Sequence, residues 1–294
     1  MSPRIVLFGH PLHQSLSPAM QEAAMAAVGI DGTYELADVA PADLGKGLES
    51  VRDGSFLGCN VTMPYKEVVL GLLDGLDADA SIIGAVNTVT RDGTSLVGHN
   101  TDTYGVRRTV EALWEGADPA GSTAVIVGAG ATGRSVTYAV LGLGFARIVV
   151  LNRHLERAQR LVADFKPLRS DAQLVAAPLR SDGLAAEIAT ADLVVNASSV
   201  GLNSDRSPLP AGIVQAHSRV LDVVYSPRET RLLREAREAG ATAAVNGEMM
   251  VVHQGARAFE LWFGRRAPVD VMQSALATAI AARSRAGAPP SNTR

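Results

Sequence analysis

Apolar residues along the chain fall into short runs separated by amphipathic stretches, the pattern of strands alternating with helices. Ile5 to Phe8 is an apolar run ending in Gly9, and Ser17-Pro18 opens a helical stretch, Ala19 to Val28, closed by Gly29. The alternation continues with Thr33 to Leu36 extended, Ala42 to Val51 helical, Phe56 to Val61 extended and Lys66 to Leu73 helical. Val86 to Thr90 and Ser95 to Val97 flank Arg91-Asp92-Gly93-Thr94, whose Asp-Gly step predicts a tight hairpin turn. The first part of the chain therefore reads as an α/β unit.

Thr103 to Trp114 predicts a helix, and the polar stretch Glu115 to Ser122 after it is the candidate linker. Beyond it, Ala124 to Val127, Arg147 to Leu151, Gln173 to Ala177, Leu193 to Asn196 and Val220 to Val223 are short β-rich runs. Helical segments separate most of them, which predicts right-handed crossovers and a parallel sheet. Met249 to Phe263 and Val269 to Ala286 read as helices, and the Pro/Ser/Asn-rich tail from Gly287 to Arg294 as disordered. No repeat of solenoid period is present.

A chain of 294 residues exceeds one ordinary domain, and 47% hydrophobic with 19% charged residues supplies two cores. The net charge of −3 and the lack of a Lys/Arg cluster exclude nucleic acid and membrane surfaces as expected partners, leaving a small molecule. The single cysteine, Cys59, excludes an internal disulfide and a thiolate metal cluster. The apolar run in Met1 to Pro11 is too short for a signal-peptide core, and no stretch approaches the ~20 apolar residues of a membrane span. A cytoplasmic protein, monomer or homodimer, is expected.

Val127 is followed by Gly128-Ala129-Gly130-Ala131-Thr132-Gly133, a Gly-x-Gly-x-x-Gly run between an apolar strand and a helical stretch, Arg134 to Leu143. The first glycine permits a tight turn, the second lets the backbone approach a pyrophosphate, and the third lets the helix pack closely. The helix start offers unpaired N–H groups to the phosphate. The next strand ends at Asn152-Arg153, where an NAD-specific fold carries an acid for the ribose 2′-OH. A guanidinium there pairs instead with a 2′-phosphate, so Arg153, supported by Arg157 a turn later, predicts NADP as cofactor. Both arginines also suit a solvated helix start.

Four polar segments mark the first unit: Ser15-Leu16-Ser17-Pro18, Asn60 to Glu67, Gly84 to Thr88, and Gly98 to Asp102. Each lies at a strand end or in a loop, where an open α/β sheet binds ligands. Their hydroxyls and amides suit a polyol acid. Hydride transfer leaves a hydroxyl proton for the protein to handle, and Lys66 with Asp102 is the candidate pair for it. Singly, Lys66 also suits an exposed helix start, and Asp102 or Ser17 a helix cap.

These segments, in this order, resemble the shikimate dehydrogenase family across nearly the whole chain. Gly9, Pro11 and Ser15-x-Ser17-Pro18 resemble its opening pattern, Asn60 to Lys66 its Asn-Val-Thr-x-Pro-x-Lys, Ala85 to Thr88 its Ala-Val-Asn-Thr, and Asn100 to Asp102 its Asn-Thr-Asp. Asn152-Arg153 resembles its NADP-selecting Asn-Arg-Thr, Asn196 to Gly201 its nicotinamide-side loop, Asp222 to Tyr225 its next strand end, and Gly247 to Gln254 its returning helix. The resemblance implies an N-terminal α/β substrate domain, 1–104 completed by 247–286, around an inserted Rossmann-like parallel-sheet NADP-binding domain, 105–246. It implies NADP-dependent interconversion of 3-dehydroshikimate and shikimate in aromatic amino acid biosynthesis, with Lys66 and Asp102 as catalytic pair. The substrate carboxylate would be held by Ser15 and Ser17 with Tyr225 nearby, and the ring hydroxyls by Thr62, Asn87, Asp102 and Gln254. NADP would be held by Gly128, Ala129, Gly130, Ala131, Thr132, Asn152, Arg153, Arg157, Ser198, Val223 and Gly247.

The chain departs from the family pattern at Gln14, with His13 displaced by one, at His154 in place of Thr, and at Glu248 after Gly247. The rival readings are a quinate or aminoshikimate dehydrogenase, a non-catalytic ligand sensor and a folate-interconverting dehydrogenase of related build. The Lys/Asp pair argues against the sensor, and the paired serines against the folate enzyme. His10, His99, His217 and His253 lack metal-site spacing, so no metal is expected. Trp114 and Trp262 read as packing residues.

Overall fold

The computed structural model of the chain describes residues 2–12, 15–202 and 204–286, with side chains through residue 283. The family departures at His13 and Gln14 and the tail from Gly287 lie outside the described residues. The first sheet is built from β1 (Arg4–Gly9), β2 (Thr33–Asp38), β3 (Gly58–Val61), β4 (Gly75–Leu76), β5 (Thr88–Asp92) and β6 (Ser95–His99). Their order is β2-β1-β3-β5-β6-β4. β1 pairs in parallel with β2 and β3, whereas β5 runs antiparallel to both β3 and β6. The expected hairpin forms, with Asp92 opposite Ser95 and Gly93 at φ +59° in the turn. Helices α1 (Ser17–Ala27), α2 (Leu44–Arg52), α3 (Ala78–Ile83) and α4 (Asp102–Leu113) complete this part.

The helix expected over Lys66 to Leu73 does not form; a turn leads instead into a short 3₁₀ helix, Val68–Leu72. The Lys66 carbonyl accepts from Val86 N–H at 2.8 Å, so a tertiary bond takes the acceptor that a helix would use. β4 and α3 lie where the apolar pattern gave no element.

The second sheet contains β7 (Thr123–Val127), β8 (Arg147–Asn152), β9 (Gln173–Pro178), β10 (Leu193–Asn196), β11 (Arg219–Asp222) and β12 (Ala243–Asn246). All are parallel, in the order β12-β11-β10-β7-β8-β9, a doubly wound sheet. Helices α5 (Ala131–Gly142), α6 (Leu155–Phe165), α7 (Leu184–Ala189) and α8 (Arg231–Glu238) flank it. Alternate residues of each central strand feed opposite cores: Ile126, Val150 and Val195 face one, and Val125, Val149 and Val194 the other. Burial on both faces explains why these strands read as unbroken apolar runs.

After β12 the chain returns to the first sheet through α9 (Glu248–Phe263) and α10 (Val269–Ala286). Val252, Phe259, Met272 and Ile280 share a core with Ile5, Leu7 and Met20, and Trp262 Nε1 donates to the Val89 carbonyl at 3.1 Å. A Cβ on Gly105 would stand 2.5 Å from the Met250 carbonyl oxygen, which shows how closely α4 and α9 approach. The two sheets' units meet through Tyr138 Oη to Asp79 at 2.9 Å, Asn100 Nδ2 to Ser135 Oγ at 3.1 Å, and Arg134 Nε to the Ile83 carbonyl. Among the described residues, no helix is long and apolar enough to cross a membrane.

Candidate active site

The end of β3, the turn after it, the segment before β5 and the start of α4 converge. Lys66 Nζ lies 2.5 Å from Asp102 Oδ2, with side chains 16% and 6% exposed, so this ion pair is largely screened from water. Asn87 Nδ2 stands within hydrogen-bond distance of Asp102 Oδ1 at 2.9 Å, Thr101 Oγ1 at 2.8 Å and Gln254 Oε1 at 3.1 Å. Its Oδ1 accepts from Thr101 N–H at 2.7 Å. Residues from four separate stretches of sequence thus meet in one cluster about the Asp102 carboxylate.

Capping does not account for Asp102. It is the first residue of α4, the cap position is Thr101, and Asn100 Oδ1 accepts from Thr103 N–H at 3.2 Å. Ser17 likewise makes no side-chain cap on α1. Its hydroxyl stands 3.1 Å from that of Ser15, and its N–H donates to Ser15 Oγ at 3.2 Å. Tyr225, from the loop after β11, brings its phenol to the Leu16 backbone between the two serines, and burial raises its pKa. Thr62 sits just past β3, its N–H donating to the Phe8 carbonyl at 2.9 Å, a position beside the Lys66 turn rather than within the Asp102 hydrogen-bond cluster.

Two buried residues were not singled out for a role by the sequence. Tyr34 donates to Asn60 Oδ1 at 2.6 Å, and Asn60 Nδ2 donates to the Asn87 carbonyl and Thr88 Oγ1, each at 2.9 Å. Burial drives the Tyr34 phenol far above its ordinary pKa, so it stays a neutral donor. In sequence Tyr34 is one more aromatic in a strand. Only the paired strands show that its hydroxyl meets Asn60.

On the second sheet, the segments expected to hold a dinucleotide end at the carboxyl edge of the strands. Gly128 follows β7 at φ +115°, a conformation that favours glycine, and its N–H donates to the Leu151 carbonyl at 2.8 Å. A Cβ on Gly133 would lie 2.1 Å from the Gly128 carbonyl oxygen, whereas one on Gly130 would meet nothing within 4 Å. The first and third glycines therefore serve packing, and the second leaves space where a ligand's phosphates can approach. Residues Ala131 and Thr132 open α5, whose N-terminus has no side-chain cap. Its free N–H groups suit a pyrophosphate.

Across the switch point between β7 and β10, Ser198 Oγ donates to Asn196 Oδ1 at 2.7 Å, and Val223 N–H donates to the Asn196 carbonyl at 3.0 Å. Gly247 packs so closely that its Cβ would stand 2.2 Å from the Val223 carbonyl oxygen. Beneath this edge, the buried Asp222 carboxylate faces Asn196 Nδ2 at 2.9 Å, Val224 N at 3.1 Å and Thr230 Oγ1 at 2.7 Å. Desolvation pushes its pKa up to about 6 despite these donors.

At the other side, Asn152 Nδ2 donates to the His154 carbonyl at 2.9 Å, shaping the turn that carries Arg153. Arg153 and Arg157 are exposed and make no ion pair among the described residues, although a helix start disfavours cations. His154 stands 3.7 Å from Glu156, and Glu248 pairs with Arg228 at 2.7 Å. The uncapped helix start, the open space at Gly130 and the free guanidiniums form a donor set suited to a phosphorylated dinucleotide. His99 bonds Asp77 and Thr90, each at 2.8 Å, and no group of residues suited to a metal occurs among the described residues.

Residues 7–89 match the shikimate dehydrogenase substrate binding domain, and residues 247–277 the shikimate 5′-dehydrogenase C-terminal domain. Residues 98–251 match the saccharopine dehydrogenase NADP binding domain. A shikimate dehydrogenase (NADP(+)) of Symbiobacterium thermophilum is 43% identical over 277 residues, covering 93% of each chain. The crystal structure of shikimate 5-dehydrogenase from Thermus thermophilus in complex with NADP(H) and shikimate superposes with a TM-score of 0.82 at 37% identity, covering 94% of this chain and 99% of that one. Quinate dehydrogenase from Corynebacterium glutamicum in complex with NAD has a TM-score of 0.85 at 34% identity, covering 94% and 99%.

Proposed function

The chain belongs to the shikimate dehydrogenase family, and we propose that it interconverts 3-dehydroshikimate and shikimate with NADP, Lys66 carrying the hydroxyl proton. The observation that carries this reading is the screened Lys66–Asp102 pair beside Asn87 and Gln254. When bound, NADP supplies the hydride acceptor or donor, and the protein handles the proton. An ammonium has three N–H donors; Asp102 accepts a hydrogen bond from one, leaving others for the substrate oxygen that changes between carbonyl and hydroxyl. In the reduction Lys66 gives that oxygen a proton as its carbon gains the hydride, and in the oxidation it takes the proton back. Asp102, itself held by Asn87, keeps the amine in place.

Ser15 and Ser17 supply hydroxyl donors for the ring carboxylate, with Tyr225 beside them, while Thr62, Asn87 and Gln254 serve the ring hydroxyls. On the cofactor side, Gly128 to Thr132 cradle the pyrophosphate, Asn152, Arg153 and Arg157 the 2′-phosphate end, and Ser198, Val223 and Gly247 the nicotinamide end. In this reading residues 1–104 and 247–286 form the substrate unit and 105–246 the cofactor unit of a cytoplasmic enzyme. Steady-state rates with shikimate, quinate and an aminoshikimate, each with NADP and NAD, test it. The highest kcat/KM belongs to shikimate with NADP; a preference for quinate with NAD overturns the assignment.

A further inference from the structure

We propose that Arg180 supplies a third guanidinium to the 2′-phosphate of the cofactor, beside Arg153 and Arg157; this rests on the cofactor reading above. β8 and β9 run parallel with Asn152 opposite Pro178, and Leu179 N–H donates to the Asn152 carbonyl at 3.0 Å. That bond carries the pairing one residue past the end of β9. Arg180 therefore leaves the sheet next to the turn that carries Arg153. Adjacent strands stand about 4.8 Å apart, and an arginine stem of single bonds spans roughly 6 Å. The Arg180 side chain is therefore long enough to bring its guanidinium to the space above the end of β8, where a dinucleotide fold sets its adenosine ribose.

Charge supports the same assignment. Arg134, Arg147, Arg169, Arg228 and Arg234 each pair with an acid, whereas Arg153, Arg157 and Arg180, like Arg160 and Arg206, make no ion pair among the described residues. Glu156 faces His154, and Asp182, two residues beyond Arg180, is in no ion pair among the described residues. Three exposed cations, Arg153 and Arg180 past neighbouring strand ends and Arg157 in the first turn of α6, repel one another weakly through water. A phosphate monoester of charge about −1.5 to −2 at neutral pH turns that repulsion into attraction and offers oxygens to more than one guanidinium. Where a Thr hydroxyl is lost from this turn at His154, a guanidinium from the next strand end supplies a replacement donor.

The competing role for Arg180 is stacking on the adenine face, which would serve phosphorylated and unphosphorylated nucleotides alike. Calorimetric titration of 2′,5′-ADP and, by competition, 5′-AMP into the full chain separates the two. Arg180→Ala is expected to weaken 2′,5′-ADP about tenfold and 5′-AMP less than twofold, with Arg180→Lys recovering part of the loss. Equal losses for both nucleotides, or an unchanged Kd for 2′,5′-ADP, overturn the proposal. Arg153→Ala is the control for the underlying reading: if it weakens 2′,5′-ADP while Arg180→Ala does not, only the Arg180 assignment fails. If neither variant changes 2′,5′-ADP binding, the 2′-phosphate reading fails with it.

Discussion

The Lys66 ammonium meets Asp102 Oδ2 at 2.5 Å, joining the turn after β3 to the first residue of α4. Asn87 holds the second carboxylate oxygen, so Asp102 cannot rotate away without breaking both contacts. Removing one member of such a pair leaves the other charge buried without its partner, a loss of roughly 3–5 kcal/mol. Asp102→Asn keeps the shape and removes the charge, which makes it the milder probe of the pair.

Alanine at Ser15 or Ser17 is expected to raise KM for shikimate by roughly tenfold or more, because a hydrogen bond to a charged group contributes about 1.5–3 kcal/mol. KM for NADP stays unchanged. The Ser17 hydroxyl makes no cap on α1, so Ser17→Ala removes no helix cap, only the contacts to Ser15 and the Tyr34 phenol. A lower midpoint with an unaltered KM for shikimate contradicts the carboxylate assignment.

Gly133→Ala sets a methyl 2.1 Å from the Gly128 carbonyl oxygen, and both atoms belong to the turn that shapes the cofactor site. Overpacking of this kind costs about 1–3 kcal/mol. Urea unfolding should show that loss, and NADP titration a weaker complex. Gly130→Ala, whose methyl meets no protein atom within 4 Å, should keep wild-type stability and lose NADP affinity alone. Equal stability of Gly133→Ala and wild type contradicts this role for the loop.

The contribution of Asp222 to stability depends on pH. Its carboxyl is pushed from 3.8 up to about 6 by desolvation, so the folded protein binds its proton more tightly than the unfolded chain does. The contribution to stability is fully present below about pH 3.8 and is lost as pH rises through about 6. The difference is on the order of 3 kcal/mol. Asp222→Asn keeps the acceptor for Asn196 and Val224 but cannot ionise. The stability of wild type minus that of the variant, followed from pH 4 to pH 7.5, should therefore fall; parallel curves contradict the shift.

Much of the architecture is legible in the sequence because local pattern and packing agree there. β7, β8 and β10 are unbroken apolar runs since both of their faces are buried, and Gly128 and Gly133 occur where a turn and a close helix demand them. Local pattern fails where tertiary contacts decide. Lys66 to Leu73 has a helix-compatible composition, yet Val86 takes the Lys66 carbonyl and only a 3₁₀ turn remains. β12, with Ala243 and Ala244 half-buried at a sheet edge, carries too little apolar contrast to be read as a strand. At the site, the types of Lys66, Asp102, Asn87 and Gln254 suggest proton and hydroxyl chemistry, but Gln254 joins the other three only through the return of α9 to the first sheet. The Tyr34–Asn60 bond has no sequence signal, because a strand aromatic looks the same whether or not its hydroxyl has a partner.

Whether Lys66 carries the proton is decided by kcat of Lys66→Ala at saturating shikimate and NADP. A positioned acid or base contributes about 10²–10⁴-fold. The variant should lose kcat by about that factor while its Kd for NADP stays within about twofold of wild type, since the cofactor segments lie on the other sheet. A kcat within about threefold of wild type, with only KM for shikimate raised, would mean that Lys66 merely holds the substrate and would contradict the claim.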